Sequence, residues 1–491
     1  MKKSIFEVDV AGFRELQEGK PKWMIVRELL ANALDEEITN CLIKFSYGGR
    51  KATITVSDDS PEGFLDLADV FTLFKTTRKR SNPKVRGRFN LGEKQVICVA
   101  DHFRVLSTKG GVEIDVLKGT RTMLRKKREA GSEVMVEVKM TRDEYKECIE
   151  YCKEILQPNG IDFMILVDAP YEDESCDITS KPFHKTFTAK LKTELKDEES
   201  GVMKTLSRET EVQIFKPEQT GDKTYIFELG IPICEIECDY SLNVMQKVPL
   251  SHDRDKVDVK YLKTLYGEVL NEVHEEIRTD QSSNLWVRDG FASDRASKES
   301  RQTVMTKRFG EKALIANPMD KRSMDEAISN NFNVVYGSEM SKEEWAKVRE
   351  DDLLEATSQR FKTEVAEGKM VNPTDQQMKV AEFAKKVARD ILQLTITTKF
   401  YESPDADVKA DFNAEKSVLR FNVSHFADDS WEQVVGGNGK SHIQQPMLDL
   451  LIHELGHSAG WHYEHSYHDC LTKLGSKLAL AVAHDPNYLK L

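Results

Sequence analysis

The stretch Trp23-Met24-Ile25-Val26-Arg27-Glu28-Leu29-Leu30-Ala31-Asn32-Ala33-Leu34-Asp35, followed by Ala52-Thr53-Ile54-Thr55-Val56, sets the fold class. In the first run Trp23, Val26, Leu29, Leu30 and Ala33 recur every three or four residues, the spacing of one buried helix face. In the second, apolar and polar residues alternate with the period of a strand. Helix and strand interleave from the start, which predicts an α+β chain. Further strands are expected at Val112–Val116, Glu133–Lys139 and Phe163–Val167, with a helix over 142–156, closing a first domain at 1–170. The Lys/Glu/Asp/Ser-rich stretch 171–210 predicts exposed hairpins or loops. Strand signals at Val212–Phe215, Tyr225–Leu229 and Ile231–Ile236, then a helix from Lys260 to Ile277, give a second α+β domain over 171–280. Within 281–365 the runs Lys312–Ala316, Ser323–Ser329 and Asn333–Tyr336 read as a small strand-helix-strand connector, and Ser341-Lys342-Glu343-Glu344 opens another helix as a capping box. The last domain, 366–491, starts a helix after Asn372-Pro373-Thr374 with Val380, Phe383, Ala384, Val387 and Ile391 inward. Strands follow at Leu394–Phe400 and Val418–Val423, then a helix from Gln445-Pro446 into His453.

The chain has 491 residues, 71 Lys+Arg against 83 Asp+Glu, and a formal charge of −12, which excludes a histone-like or polybasic protein. Its 39% hydrophobic and 31% charged residues are those of a globular chain, and at about 150 residues per domain it holds about three domains. No apolar run approaches the ~18 residues of a membrane span. The opening Met1-Lys2-Lys3-Ser4-Ile5-Phe6-Glu7-Val8-Asp9 puts acids where a signal peptide needs apolar residues, so a cytoplasmic location with no membrane partner is expected. The eight cysteines form no C-x-x-C pair and read as reduced thiols. Between Phe74 and Lys94 eight basic residues face one acid, with Pro83 and Gly87 inside, the composition of a basic loop.

No G-x-x-x-x-G-K-[ST] run exists, so a bound nucleotide needs another scaffold. Three pieces offer one. Glu28, Asn32 and Asp35 share a helix face, where a carboxylate can deprotonate water and an amide oxygen can hold Mg²⁺. Val56-Ser57-Asp58-Asp59-Ser60-Pro61-Glu62-Gly63-Phe64 ends a strand with an acid suited to an adenine amino group. Gly87-Arg88-Phe89-Asn90-Leu91-Gly92-Glu93-Lys94 puts small residues at a loop-to-helix junction, where backbone N–H groups can cradle phosphate. In order and spacing these pieces resemble the GHKL ATPase superfamily of the gyrase B subunit, MutL-type repair ATPases, large heat-shock chaperones and sensor histidine kinases. The resemblance spans roughly 1–140 and implies a Bergerat-type α/β sandwich that binds ATP and Mg²⁺. By that likeness Glu28 activates water, Asn32 coordinates Mg²⁺, Asp58 reads adenine and Ser132 adds a hydroxyl beside it. Asp35, Gly63, Gly87, Gly92 and Lys94 complete the expected nucleotide contacts. The family's D-x-G-x-G box reads here Asp58-Asp59-Ser60-Pro61-Glu62-Gly63, and its middle lid glycine is Asn90. In the gyrase and MutL branch a second, transducer domain returns a lysine to the γ-phosphate. Gln246-Lys247-Val248-Pro249-Leu250 resembles that loop, with Arg254 a further candidate, and the likeness implies an ATP-dependent homodimer with 1–22 as an exchanged arm.

Seven of the twelve histidines follow residue 440, and five lie between 453 and 468. Leu451-Ile452-His453-Glu454-Leu455-Gly456-His457 is an H-E-x-x-H run on a helix, with His453 and His457 on one face to hold Zn²⁺ and Glu454 beside them as a proton shuttle. An edge strand such as 418–423 can pair with an extended substrate. A metzincin needs histidine where Tyr463 stands, so the third ligand is open among His462, His465, His468, Glu464 and Asp469. The segment 462–469 resembles the short zincins of the SprT and WLM type. That likeness favours His462 with Tyr467 as the following aromatic, then His465, and gives Asp469 an orienting role and Tyr467 or His468 an oxyanion role. The leading expectation is an ATP-regulated zinc metallopeptidase, a GHKL module gating a C-terminal zincin-like α+β domain that cleaves a protein or peptide. The other is a gyrase-, MutL- or chaperone-like conformational ATPase on nucleic acid or protein, with the basic loop 75–94 partly facing DNA and a non-catalytic zinc domain.

Overall fold

The computed structural model describes residues 9–75, 78–88, 90–196, 202–219, 221–251, 256–318, 320–361, 368–404, 408–426, 442–460, 462 and 464–491. The chain is mixed α+β with several sheets and folds into two compact units. One takes 1–308 and 342–351, the other 309–341 and 352–491. Among the described residues no helix is long and apolar enough to cross a membrane.

The first unit opens with helices α1 (Val10–Glu18) and α2 (Trp23–Ala33). Strands β1 (Asn40–Gly48) and β2 (Lys51–Asp58) then lead into the basic loop, which ends at α3 (Gly92–Val99). The strands β3 (His102–Ser107), β4 (Gly110–Asp115), β5 (Thr120–Leu124) and β6 (Glu133–Lys139) precede α4 (Arg142–Lys153), β7 (Asp162–Val167) and β8 (Cys176–Ile178). They form one sheet in the order β5-β4-β3-β6-β2-β1-β7-β8, antiparallel except for the parallel pair β1 and β7. Alternation does what it predicts: Ala52, Ile54 and Val56 are buried and join Ile25, Val26, Leu29 and Leu30 of α2 in one core, while Thr53 and Thr55 lie on the other face. Thr141 caps α4 in a capping box with Glu144. α1 packs on α3 of its own chain, and the rest of the expected exchanged arm, 1–8, lies outside the described residues.

A second sheet follows from β9 (Lys185–Lys196), β10 (Met203–Phe215), β11 (Tyr225–Glu228), β12 (Ile231–Glu235) and β13 (Ser241–Val244), in the order β12-β11-β13-β10-β9. The stretch expected to hold exposed hairpins supplies the long β9–β10 ladder, from Met203 opposite Lys196 to Ile214 opposite Lys185. Helices α5 (Val259–Val273), α6 (Leu285–Ala292) and α7 (Lys298–Phe309) come next. The chain then crosses to the second unit for the parallel pair β14 (Ala313–Ile315) and β15 (Asn333–Val335), joined by α8 (Lys321–Ser329). It returns for α9 (Lys342–Glu350), whose buried Glu344 binds Arg288 and Arg308 at 2.8 Å each. A last crossing leads to α10 (Thr357–Arg360), β16 (Lys369–Met370), α11 (Asp375–Val387), β17 (Thr397–Glu402), β18 (Ala410–Asn413), β19 (Val418–Asn422), α12 (Gln445–Gly456) and α13 (His465–His484). Here the sheet order is β16-β17-β19-β18, with α11, α12 and α13 contributing to one core through Val380, Phe383, Leu451, Leu455 and Leu474.

Within the first unit a buried ion pair ties the basic loop to the second sheet. Arg88 and Glu228, 3% and 4% exposed, meet in a fork with Nη1–Oε1 at 2.8 Å and Nη2–Oε2 at 2.5 Å. Arg88 also donates to the Val248 carbonyl, and Val248 N–H donates to Glu228 Oε2. Removing one partner strands a charge away from water, so Arg88→Met is expected to cost about 3–5 kcal/mol of stability. The double variant Arg88→Met/Glu228→Met should recover part of that loss, as read from chemical denaturation of both proteins.

Candidate metal centre and candidate nucleotide pocket

The helix α12 starts with Pro446 in its first turn, where a missing N–H costs nothing, and runs to Gly456 with His457 as its C-cap. His453 and His457 thus stand one turn apart. The chain then reverses through Gly460 (φ 159°), where a Cβ would lie 2.0 Å from Glu464 Oε2, and brings His462 back over the helix. Among the described residues His453, His457 and His462 are the group able to hold a metal, their ligand atoms all within 4.8 Å of one another. His462 Nε2 lies 3.1 Å from His453 Nε2. Two nitrogens on a tetrahedral Zn²⁺ at about 2.05 Å would be about 3.3 Å apart, so the trio suits that ion with little adjustment. His457 Nδ1–H donates to the Gly460 carbonyl at 3.2 Å, which leaves its Nε2 for a metal. With His453 Nε2 turned to the same point, its Nδ1 carries the proton and donates to Tyr467 Oη at 3.0 Å.

Burial shapes the protonation of the cluster. It lowers His453 to about 4, with help from His457, and lowers His462 to about 3 with further repulsion from the neighbouring imidazoles. Burial lowers His457 too, partly offset by its bond to Gly460. Neutral imidazoles are the form that binds metal. Glu454 is 6% exposed, and burial first, then the charge of Asp411, raises its carboxyl well above the usual range. Its carboxylate has no hydrogen-bond partner among the described residues, and it lines a cleft of about 2150 Å³ with the three histidines.

Other expected members sit elsewhere. His465 begins α13 on the exposed side, outside the trio, and Tyr463 lies outside the described residues. Asp469, expected to orient a ligand, is exposed and makes no bond to one; α13 turns Tyr467, Cys470 and Leu474 inward instead, and Tyr467 holds His453. His468 is exposed, its ring beside that of Tyr467. Strand 418–423 is also not the edge of its sheet, because β19 is paired on both sides, with β17 and β18. The edge facing the cleft is β18, whose four residues were too few to register as an alternating run.

In the first unit a cavity of about 230 Å³ gathers Glu28 and Asn32 from α2, Asp35 just past its C-terminus, Asp58 from the end of β2 and Gly63 from the loop after it. Gly87, Gly92 and Ser132 line the same cavity. Asp58 Oδ1 accepts from Ser60 N–H at 3.0 Å and Ser132 N–H at 3.1 Å, leaving Oδ2 without a partner among the described residues. Two glycines are dictated by space. At Gly63 (φ 59°) a Cβ would meet Ser107 Oγ at 2.3 Å, and at Gly92 it would meet Glu28 Oε2 at 1.8 Å. Asp35 braces the loop, with Oδ1 accepting from Arg86 N–H at 2.8 Å and Oδ2 from Gly87 N–H at 2.9 Å.

Lys94 and Lys247 do not line the cavity. Lys94 is a buried tie, donating to the Asp69 carbonyl and to Asn90 Oδ1 at 3.0 Å. Lys247, fully buried, donates from Nζ to the Lys79 carbonyl at 2.6 Å, and its N–H bonds the Pro83 carbonyl at 3.0 Å. It grips the loop beside the cavity, and Arg254 lies outside the described residues. The lysine at the cavity wall is Lys79, paired with Glu36 at 2.9 Å, which the sequence marked only as one of a basic run. Three of the eight, Arg86, Arg88 and Lys94, are buried, and Lys75 pairs at the surface with Asp66 and Asp69 at 2.5 and 2.6 Å.

No protein-family model matches the chain, and no curated protein matches it. The chemistry of the trio is directly measurable. Protein purified without added metal is expected to carry about one zinc per chain, and His453→Ala/His457→Ala to carry none while remaining folded by circular dichroism.

Proposed function

We propose that the chain is an ATP-regulated zinc metallopeptidase. The observation that carries this is the convergence of His453, His457 and His462 with a buried Glu454, whose carboxylate has no hydrogen-bond partner among the described residues, on one wall of a polymer-sized cleft. The trio would hold Zn²⁺, which when bound supplies Lewis-acid polarisation and a more acidic water. Glu454 lies next to His453 in the chain with no competing hydrogen-bond partner for its carboxylate among the described residues, so it would take the proton of the attacking water and pass it to the leaving amine. Tyr467 holds His453 in the tautomer that turns Nε2 to the metal point. The exposed edge of β18 offers backbone groups along the cleft for an extended peptide.

The GHKL part of the proposal rests on the eight expected residues that share one cavity. There Glu28 would activate water, Asn32 would hold Mg²⁺, and Asp58 with Ser132 would read adenine. Lys247 would act on the phosphate loop through the carbonyls it binds rather than by touching nucleotide. The conformational-ATPase alternative called on loop 75–94 to face DNA, and the burial of Arg86, Arg88 and Lys94, with Lys75 held by Asp66 and Asp69, favours the peptidase.

Glu454→Gln keeps the shape of the side chain but removes its basicity. It is expected to lower cleavage of an unfolded protein substrate by about 10²–10⁴-fold with zinc content unchanged; unchanged cleavage would remove Glu454 from the reaction. Gly92→Ala drives a methyl into the Glu28 carboxylate and should cost about 10²-fold in ATP turnover, measured by phosphate release, with Glu28→Ala abolishing turnover but permitting ATP binding.

A further inference from the structure

The walls of the cleft around the histidine trio say what kind of chain enters it. At about 2150 Å³ it exceeds the roughly 300–1,000 Å³ of small-molecule pockets, a size for a polymer segment. Among the described residues eight carboxylates line it against four Lys or Arg side chains, twice as many, whereas the whole chain carries 83 acids to 71 bases. Setting one neutral pair aside keeps the excess at four, seven acids against three bases. Arg420 is neutralised by Asp411 at 2.8 Å. Glu415, Asp449 and Asp352 have no cationic partner among the described residues, and Glu355 has only an exposed contact to Arg360 at 3.9 Å. Glu454 adds a buried carboxyl lining the same space with no hydrogen-bond partner among the described residues. A concave wall of one sign focuses its field, attracting cations and repelling a phosphodiester chain with its charge every ~1.7 Å of duplex.

We infer that the cleft recognises extended polypeptide segments rich in Lys and Arg, and excludes acidic polypeptides and nucleic acid. The inference deepens the peptidase proposal and rests on it for the cleavage readout alone. The side chains of such a segment would reach Glu415 beyond β18 and Asp449 on α12 while its backbone follows the β18 edge.

The test uses the full-length, zinc-loaded protein and two unstructured fluorescent peptides of equal length, alike in apolar residues, one Lys/Arg-rich and one Asp/Glu-rich. Binding is read by anisotropy with the Glu454→Gln variant as salt is raised. The cationic peptide should bind at least about tenfold more tightly, with the preference shrinking in salt. Adding Glu355→Lys/Glu415→Lys/Asp449→Lys, all exposed positions, should remove that preference. The same charge change at Glu129→Lys/Glu147→Lys/Glu218→Lys in the other unit should leave it in place. Equal binding of both peptides, tighter binding of the acidic one, or equal loss in the two triple variants would overturn the inference. Cleavage by the wild type separates the two claims. Equal hydrolysis of both peptides leaves the peptidase standing and sinks the charge selection; a cationic preference abolished by the cleft variant, with no hydrolysis, does the reverse.

Discussion

Glu228, the last residue of a short strand and only 4% exposed, is a buried carboxylate side chain, and the first unit is arranged around satisfying it. Two guanidinium bonds from Arg88 and one from Val248 N–H meet on its two oxygens. A buried charge that loses a partner has no water to fall back on, so these groups hold or release together. Through Arg88 the loop before α3 is fixed, and through the Val248 backbone so is the segment carrying Lys247, whose ammonium binds the same loop from a second direction. Asp35, just past the end of α2, closes the arrangement by accepting Arg86 and Gly87 N–H. The cavity beneath the loop keeps its shape because three elements distant in sequence all grip it.

The second unit treats its polar groups differently. His457 and His453 each have one ring nitrogen occupied, by Gly460 and Tyr467, and their other nitrogens turn toward one point. Among the described residues Glu454 is left with no hydrogen-bond partner in spite of its burial. Where the first unit spends its carboxylates on internal bonds, the second leaves one idle at a cleft wall, the pattern expected where a group must exchange protons rather than hold structure.

Local periodicity made most elements legible. The apolar faces of Trp23–Ala33 and Asp375–Val387, the alternation of Lys51–Asp58 and the proline before α12 each act within a few residues. The i, i+4 spacing of His453 and His457 is local too, and the nucleotide candidates came in compact motifs. What stayed hidden was long-range. Arg88 and Glu228 are 140 residues apart, and neither carries a mark of its partner. Lys94 and Lys247 share the chemistry of phosphate ligands, but burial among carbonyls decides that they serve as ties. Asp469 and Tyr467 are two residues apart on one helix and so stand about 200° apart around it, and the packing of Cys470 and Leu474 fixes the rotation that turns Tyr467 to His453. The edge role of β18 depends on sheet order, which four residues cannot encode alone.

The excursion of α9 has a consequence for how such a chain can change over generations. The polypeptide passes between its two units three times, at 308/309, 341/342 and 351/352, and the nine residues of α9 bring Glu344 to Arg288 and Arg308. A gene severed after Arg308 would leave both arginines facing a missing carboxylate, while the remainder would carry an orphaned helix between β15 and α10. Neither half is a cassette that recombination can lift out in one piece. The two units must be inherited, duplicated and lost together, and drift in the helix is answerable to a surface on the far side of the crossing in sequence.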